Sequence, residues 1–359
     1  MTSELRRRIA AVIAGTAAAD VDELAATEPE ALIAAARAEG VTALLAGKLL
    51  HAAPPSSGLV AAFLKRARDL AKTELRQHAA LAAILARLNA AGIPVLVLKG
   101  TALRRWLYPE PYLRESSDID LLLPTRQQAM AAAAALQPFG YAMPYPPGRF
   151  ANEVLCRHAG TRVELDLHWR LSRNPALGLL PGFQALRKAA RPLTNLGHGA
   201  VGLGHADALL HACVHRASNL EAGLGDRLKW LYDVHLLAAC LDHDGWDAFV
   251  AACVRARVCG IGRDALEASA NLFGTAMSGP AMDALQAAIP HDALDARRLQ
   301  DWGYLQRQSL RALGWTNGIA WLWGSAFPSF AYMRELYGRD LSRAGLLWVR
   351  LRRLFGRLR

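Results

Sequence analysis

Over the first ninety residues, apolar side chains recur with a period near 3.6, the spacing of helices that bury one face. The pattern covers residues 32–36 and 41–50, and Gly40 interrupts it, so two helices are expected there. The Pro- and Ser-rich run 54–58 predicts a loop, because Pro and Gly interrupt regular structure. After this loop, the repeat over 59–91 predicts one long helix.

The pattern changes at residue 93, where short runs of β-forming residues replace the helical spacing. A β-rich run covers 93–98, a second strand is expected around Asp118, and two more are expected over 150–157 and 162–169. Thr125 and the Gln three residues later form a capping box, which predicts that a helix begins there. Strands and helices are therefore mixed in this part of the chain.

Helical spacing returns after residue 174 and continues to the end of the chain. The sequence therefore predicts an α+β protein with three parts. These are an N-terminal helical region (1–91), a core with a mixed β-sheet (92–174) and a C-terminal helical domain (175–359).

The composition is that of a globular protein, rich in Ala and Leu, with no uninterrupted apolar stretch of 18 residues that would predict a membrane span. The five cysteines form no CxxC pair and their number is odd, which favours buried thiols in a reducing cytoplasm over a disulfide or zinc framework. The net charge of +11 suits an anionic partner such as a nucleotide, a nucleic acid or an acidic lipid.

The most informative motif is Asp118-Ile119-Asp120, which precedes an apolar run. Side chains in a strand alternate between faces, so Asp118 and Asp120 point to the same side, about 6.5 Å apart. Two ionised carboxylates at that spacing repel by roughly 2–3 kcal/mol at an effective dielectric constant near 20. The usual compensating charge is a divalent cation held by oxygen ligands.

Two further features strengthen the prediction of a metal site. Gly100 follows the first β-run and precedes a helix predicted over 101–108, so backbone N–H groups of that turn are free for phosphate oxygens. A later strand carries a second acidic pair, Glu164 and Asp166, with His168 on the same face. No G-x-S-x-G, P-loop or G-x-G-x-x-G motif is present, which disfavours serine hydrolases, P-loop NTPases and Rossmann dehydrogenases.

The order of strand, Gly turn, helix, D-x-D strand, helix and acidic strand resembles the nucleotidyltransferase superfamily, which has the polymerase-β-like fold. Within it, the chain most resembles the bacterial uncharacterised nucleotidyltransferase family. The stretches that carry the resemblance are 98–103, 108–109 with Arg114, 118–122, the D-x-H-W segment within 163–170, and 210–215, 227–233 and 327–329 of the helical part.

The resemblance implies a minimal nucleotidyltransferase sheet and the transfer of a nucleoside monophosphate from an NTP, with ATP the first candidate, to an acceptor. Asp118, Asp120 and Asp166 would be the catalytic residues and would hold two Mg²⁺ ions, for which Mn²⁺ is a possible substitute. The residues expected to contact the nucleotide are Lys99, Gly100, Thr101, Arg114 and Ser117.

Several residues have a second interpretation. Glu164 lies on the same face as Asp166 and competes with it for the third ligand position. Lys99 is equally compatible with an exposed strand end, and Arg114 with an ion pair to a neighbouring Glu. Asp233 is compatible with a domain contact to His215 or Arg227.

Two further segments carry histidines or arginines that the predicted nucleotide site does not use. His211 and His215 lie one helical turn apart, as in some zinc sites, but no third ligand has a matching position, so packing against the sheet is favoured. The Arg-rich tail 346–359 either binds a membrane surface or polyanion or packs its apolar side on the helical domain.

Two other function classes also remain open. One is a binding or regulatory module that keeps the fold but lacks a working phosphate pocket. The other is a basic protein that binds RNA or a membrane surface. The acceptor of the transfer reaction is not readable from the sequence and is a small molecule, a peptide or protein hydroxyl, or an RNA end.

Overall fold

The structure is a computed structural model that describes residues 3–15, 24, 27–52, 58–197, 199–338, 342, 344–346 and 348–349. The N-terminal region is helical, as predicted. Its helices are α1 (Ser3–Ala14), α2 (Pro29–Glu39), α3 (Thr42–Ala52) and α4 (Gly58–Ala90). The predicted break at Gly40 is confirmed, because this residue adopts the left-handed conformation that ends α2. The predicted loop at 54–58 lies outside the described residues except for Gly58.

A seven-stranded mixed sheet forms the centre of the fold, so the prediction of an α+β protein is confirmed. Its strands are β1 (Leu96–Val97), β2 (Asp118–Leu122), β3 (Tyr141–Ala142), β4 (Glu153–His158), β5 (Glu164–His168), β6 (Arg191–Pro192) and β7 (Val201–Gly202). Their order across the sheet is β3-β4-β5-β2-β1-β7-β6. Strand β2 pairs parallel with β5 and antiparallel with β1, which brings the two predicted acidic strands side by side.

The sheet differs from the sequence prediction at β1, β6 and β7. Strand β1 covers two residues of the β-rich run 93–98. Helix α5 (Lys99–Leu103) starts directly after Leu98 and ends five residues before the predicted end at 108. Strands β6 and β7 were not predicted and lie beyond residue 174. Each has two residues, too few to show the alternation by which strands are recognised.

Helices surround the sheet and make up the C-terminal part of the chain. Helix α6 (Arg126–Leu136) begins at the predicted cap, where the Thr125 hydroxyl accepts a hydrogen bond from the Gln128 backbone N–H. The helices that follow are α7 (Phe183–Lys188), α8 (His205–Glu221), α9 (Leu228–Ala239), α10 (His243–Ala256), α11 (Cys259–Phe273), α12 (Gly279–Ala288), α13 (Trp302–Ala326) and α14 (Phe330–Tyr337). Helix α13 is kinked at Gly314, which has left-handed backbone angles.

The two faces of the sheet have different neighbours. Apolar residues of β2 and β5 that include Ile119 and Leu165 pack against α4 and α6. On the other face, Leu96 and Leu122 pack against C-terminal helices that include α8. A third core joins the N-terminal helices to α9 and α11, so the first and last parts of the chain share buried surface. Among the described helices, none has the length and apolarity that crossing a bilayer requires.

Candidate functional site

Acidic and basic side chains lie together on the face of β2, β4 and β5 that does not contact α4 and α6. Asp120 is paired with Asp166 across the parallel strands, and Asp118 is paired with Glu164. His168 and Glu153 are opposite each other on β5 and β4. Paired residues in a sheet project to the same side, so these carboxylates and the imidazole share one polar surface.

Asp120, Asp166 and His168 form the one group in the described part of the chain whose ligand atoms all lie within 4.8 Å of one another, as a metal ion requires. Two of the three predicted ligands, Asp120 and Asp166, are thus brought together. Asp118 is not part of this group, and its carboxylate accepts a hydrogen bond of 3.1 Å from the Ser116 hydroxyl. We call Asp120, Asp166, His168, Glu153 and Lys99 the acidic cluster.

His168 is held by a carboxylate on each side of its ring. Its Nε2 atom lies 2.9 Å from Asp120 Oδ1 and its Nδ1 atom lies 2.9 Å from Glu153 Oε2. The Asn152 amide donates to the same Glu153 oxygen at 3.0 Å. Burial and Lys99 would lower the pKa of His168, but Glu153 and Asp120 outweigh them and raise it to about 9. Burial would raise the pKa of Glu153, but His168 outweighs burial and lowers this pKa to about 2.

Lys99, the first residue of α5, reaches into the cluster. Its Nζ atom donates to Asp120 Oδ1 at 2.6 Å and lies 3.4 Å from His168 Nε2. Burial would lower the pKa of Lys99, but the charges of Asp120 and Glu153 raise it above its usual range. Burial would raise the pKa of Asp120, but Lys99 and His168 hold it well below its usual range. The predicted nucleotide contact at Lys99 thus lies beside the candidate metal ligands.

Asp166 lacks such a partner. In the part of the chain that the structure describes, no donor forms a hydrogen bond to its carboxylate. Burial, followed by the charges of Glu153 and Asp120, raises its pKa from 3.8 to about 7. With all groups ionised, three carboxylates face two cations, so the cluster carries one uncompensated negative charge.

The structure distinguishes Glu164 from Asp166, the two candidates for the third ligand position. The Glu164 carboxylate accepts hydrogen bonds from Arg157 at 2.6 and 3.0 Å, and Arg157 also contacts Glu335 of α14 at 2.5 Å. Glu164 therefore belongs to an ion network that links β5 and β4 to α14, while Asp166 lies in the acidic cluster.

Gly100 and Thr101, the residues predicted to hold phosphate, lie in the first turn of α5 and are buried, so the helix begins earlier than the predicted residue 101. The Thr101 hydroxyl donates to the Asp118 carbonyl at 3.1 Å, and Gly100 lies against the Arg114 guanidinium. A Cβ atom at Gly100 would be 3.1 Å from Arg114 Nη1, so only glycine permits this approach without a shift. Ser117 is exposed. Gly100 thus separates the acidic cluster from a second group of charges.

The second group centres on Arg114 and Asp233, which we call the anchor pair. Arg114 Nε and Nη2 donate to the Asp233 carboxylate at 2.6 to 3.0 Å, and both residues are about 95% buried. The Tyr108 hydroxyl donates to Asp233 at 2.8 Å. The interpretations that paired Arg114 with a neighbouring Glu, and Asp233 with His215 or Arg227, are wrong. Of Glu115, Arg114 contacts the backbone carbonyl, at 2.5 Å, and forms no ion pair with the side chain.

Glu153 and the buried Arg104 also belong to the site, although the sequence did not single them out. Arg104 donates to the Gly100 carbonyl at 3.2 Å and to the Gln77 side chain at 3.0 Å, so it links the turn to α4. For Glu153, the alternation of β4 was a usable signal, but its pairing with His168 depends on a register that the sequence does not reveal.

A cavity of about 20 Å³, room for about one water molecule, lies between the two clusters. Its lining includes Lys99, Arg114, His211, His215 and Trp230. Burial and the nearby cations lower the pKa of His211 to about 3 and that of His215 well below its usual range. Both rings are therefore neutral packing groups at neutral pH. Neither takes part in a group of three possible metal ligands among the described residues.

A family model described as "Uncharacterised nucleotidyltransferase" matches residues 25–274, which is 250 of the 359 residues. The matched range contains the whole sheet, the acidic cluster and the anchor pair. No curated protein matches the chain.

Proposed function

The chain belongs to the uncharacterised nucleotidyltransferase family, and on this basis we propose that it transfers a nucleoside monophosphate from an NTP to an acceptor. ATP is the first nucleotide to test, and the acceptor is a small molecule, a peptide or protein hydroxyl, or an RNA end. We place this reaction in the cytoplasm. The observation that carries the proposal is the convergence of Asp120, Asp166 and His168 beside the turn that follows β1.

The chemistry of the cluster fits a divalent cation. Asp120 and Asp166 offer the carboxylate oxygens that Mg²⁺ prefers, whereas both ring nitrogens of His168 already contact carboxylates. The raised pKa of Asp166, caused first by burial and then by Glu153 and Asp120, reflects a negative charge that lacks a partner. We propose that Asp118, Asp120 and Asp166 hold two Mg²⁺ ions, or Mn²⁺ in their place. When bound, such ions lower the pKa of an acceptor hydroxyl and neutralise departing pyrophosphate.

The neighbouring residues would position the nucleotide. Lys99 lies 2.6 Å from Asp120, and we propose that its ammonium turns to the triphosphate when cations neutralise that carboxylate. Backbone N–H groups of Gly100 and Thr101 would contact phosphate oxygens, with Ser117 at the exposed rim. Arg114 would act through Gly100, because its own donors already bind Asp233 and a backbone carbonyl.

The proposal is tested by incubating the protein with each α-labelled NTP, Mg²⁺ or Mn²⁺ and a cell extract, and then identifying the labelled product. We expect label with the wild type and none with Asp118→Ala/Asp120→Ala. Asp247→Asn, an exposed acid of α10, is the matched control and should keep the activity. Equal results for wild type and double variant with every NTP would contradict the enzyme proposal.

A second candidate is a non-catalytic binding or regulatory module. It is favoured by the contact of Lys99 with Asp120 and by the burial of Gly100 and Thr101, which leave little room for triphosphate. Calorimetry with Mg²⁺ and ATP separates the two candidates. Saturable binding that disappears in Asp118→Ala/Asp120→Ala supports the enzyme, whereas absence of binding in the wild type supports the module.

A further inference from the structure

The last 58 residues of the chain differ sharply in composition from the rest. Residues 302–359 contain ten of the arginines and two acidic residues, so they carry +8 of the net charge of +11. They also contain five of the nine tryptophans. From 312 to 333 no charged residue occurs, and the flanking charges are Arg307 and Arg311 on one side and Arg334 on the other.

The structure exposes the apolar residues of this uncharged segment. After the kink of α13, Trp315 is 85% exposed, Trp323 is 67% exposed and Ile319 is 55% exposed. Their spacing of four residues places them along one side of the helix, and Trp323 contacts the Phe327 ring at 4.4 Å between centroids. Large apolar groups exposed in one contiguous stripe mark an interaction surface.

The buried side of the same helix explains why the stripe points outward. Gly318 is buried, and a Cβ atom there would be 3.0 Å from Leu310 Cδ2, so the helix contacts the chain before the kink through its glycine side. Arg149 donates to the Asn317 side chain at 3.0 Å, which fixes the helix against the loop before β4. The tryptophan side is left facing solvent.

The charges around the stripe identify its partner. Arg307, Arg311 and Arg334 are exposed, and none forms an ion pair with the described residues. Tryptophan is the residue favoured at the boundary between lipid headgroups and acyl chains, and arginine near it binds anionic headgroups. A protein partner of ordinary interface composition would not require one-sided positive charge, and RNA would not require an apolar helix face.

We propose that α13, with its flanking arginines, binds the surface of a bilayer that contains anionic lipid. The helix lies in the interface with Trp315, Ile319 and Trp323 inserted among the acyl chains, as amphipathic interfacial helices do. Binding of this kind needs no membrane-spanning helix. Most of the Arg-rich tail 346–359 is outside the described residues, and its sequence adds five arginines to the same part of the chain.

The test measures co-sedimentation of the full-length protein with vesicles of phosphatidylcholine, with or without 30% phosphatidylglycerol. We expect binding to be about tenfold or more tighter with the anionic lipid and weaker in high salt, since each basic residue near the surface contributes. Trp315→Ser/Trp323→Ser should weaken binding about tenfold or more. Leu75→Ser/Leu224→Ser removes two exposed leucines elsewhere and should leave it unchanged.

The contribution of charge has its own matched pair of variants. Arg307→Gln/Arg311→Gln/Arg334→Gln should weaken binding to the anionic vesicles by about tenfold to hundredfold. The control replaces three exposed arginines elsewhere, at positions 68, 76 and 173, by Gln and changes the net charge equally. Equal loss in both triple variants would show that only the overall charge matters and would overturn the proposal.

A second measurement needs no variant, in case the tryptophan substitutions impair folding. Brominated lipids in the anionic vesicles should quench tryptophan fluorescence of the wild-type protein. Absence of quenching or of vesicle binding would overturn the proposal. So would self-association or RNA binding that depends on Trp315 and Trp323 while vesicle binding is absent, because the surface would then belong to a second copy of the chain or to RNA.

Discussion

The acidic cluster and the anchor pair are two groups of charge on opposite sides of Gly100, and they are built differently. In the anchor pair, one guanidinium meets one carboxylate in a bidentate contact, and Tyr108 adds a further donor. In the acidic cluster, three carboxylates face two cations, Lys99 and His168, and Asp166 has no donor among the described residues. The first group is balanced within the protein, whereas the second has one more carboxylate than it has cations.

This difference separates a structural from a functional use of buried charge. A balanced, fully hydrogen-bonded pair holds two parts of a fold in one arrangement, and here it connects the segment before β2 to α9. An unbalanced group is destabilising unless a ligand completes it, which is the property expected of a cation site. Burial differs as well, because Arg114 and Asp233 are each 4% exposed, whereas the Glu153 side chain is 41% exposed.

The largest expected effect comes from breaking the anchor pair. Arg114→Ala should lower the free energy of unfolding by about 3–5 kcal/mol, because Asp233 is left buried without its partner. The measurement is urea unfolding followed by tryptophan fluorescence. In the matched control, Arg298→Ala removes an exposed pair with Asp301 and should cost less than about 1 kcal/mol.

A double variant tests whether stability returns when both charges of the anchor pair are removed. Arg114→Met/Asp233→Leu removes both charges and should recover most of the stability, since apolar replacements of buried ion pairs are often tolerated. A loss for Arg114→Ala no larger than that of the exposed pair would contradict a structural role for the anchor pair.

In the acidic cluster, Asp166→Asn should have a smaller effect of opposite sign, because it should raise the free energy of unfolding. The folded-state pKa of Asp166, about 7, lies above its usual 3.8 because of burial and then Glu153 and Asp120. Between these values the folded state binds more protons than the unfolded state, so this residue makes stability fall as pH rises, and the fall ends near pH 7. Asp166→Asn should therefore gain stability relative to wild type across that range, by at most about 1.4 kcal/mol per pH unit.

Thermal unfolding from pH 4 to 8, with and without Mg²⁺, checks this prediction. Mg²⁺ should stabilise the wild type above pH 7 and reduce its difference from Asp166→Asn, because bound cation replaces the missing charge. Glu164→Gln is the control, since Glu164 is paired with Arg157 outside the cluster. Parallel curves for wild type and Asp166→Asn would refute the view that this carboxylate is uncompensated.

Local patterns in the sequence predicted the acidic half of this comparison well. Alternation along β2 and β5 placed Asp120 and Asp166 on one face together with His168, and the apolar residues between them are buried as expected. The register that sets Asp120 beside Asp166 depends on pairing between strand residues that are 46 positions apart, which alternation cannot specify. For the same reason, Glu153 of β4 was missed.

Local sequence patterns could not predict the anchor pair. Arg114 and Asp233 are 119 residues apart in sequence, and each has closer residues of opposite charge with which a pair was a reasonable hypothesis. Which pair forms is decided by how α9 packs against the segment before β2, a property of the tertiary fold. The two-residue strands β6 and β7 were missed because they too depend on tertiary pairing rather than on local pattern.

The smallest expected effect concerns Gly100, where the two clusters meet. Gly100→Ala would place a Cβ atom 3.1 Å from Arg114 Nη1 and should cost about 1–3 kcal/mol through displacement of the guanidinium. If the contact with Arg114 is the cause, the same substitution should cost much less in an Arg114→Ala background, and urea unfolding of the four proteins gives this coupling directly. Gly148→Ala, where a Cβ atom meets nothing within 4 Å, is the matched control. Additive costs would mean that Gly100 serves the turn itself, and the two clusters would then be independent.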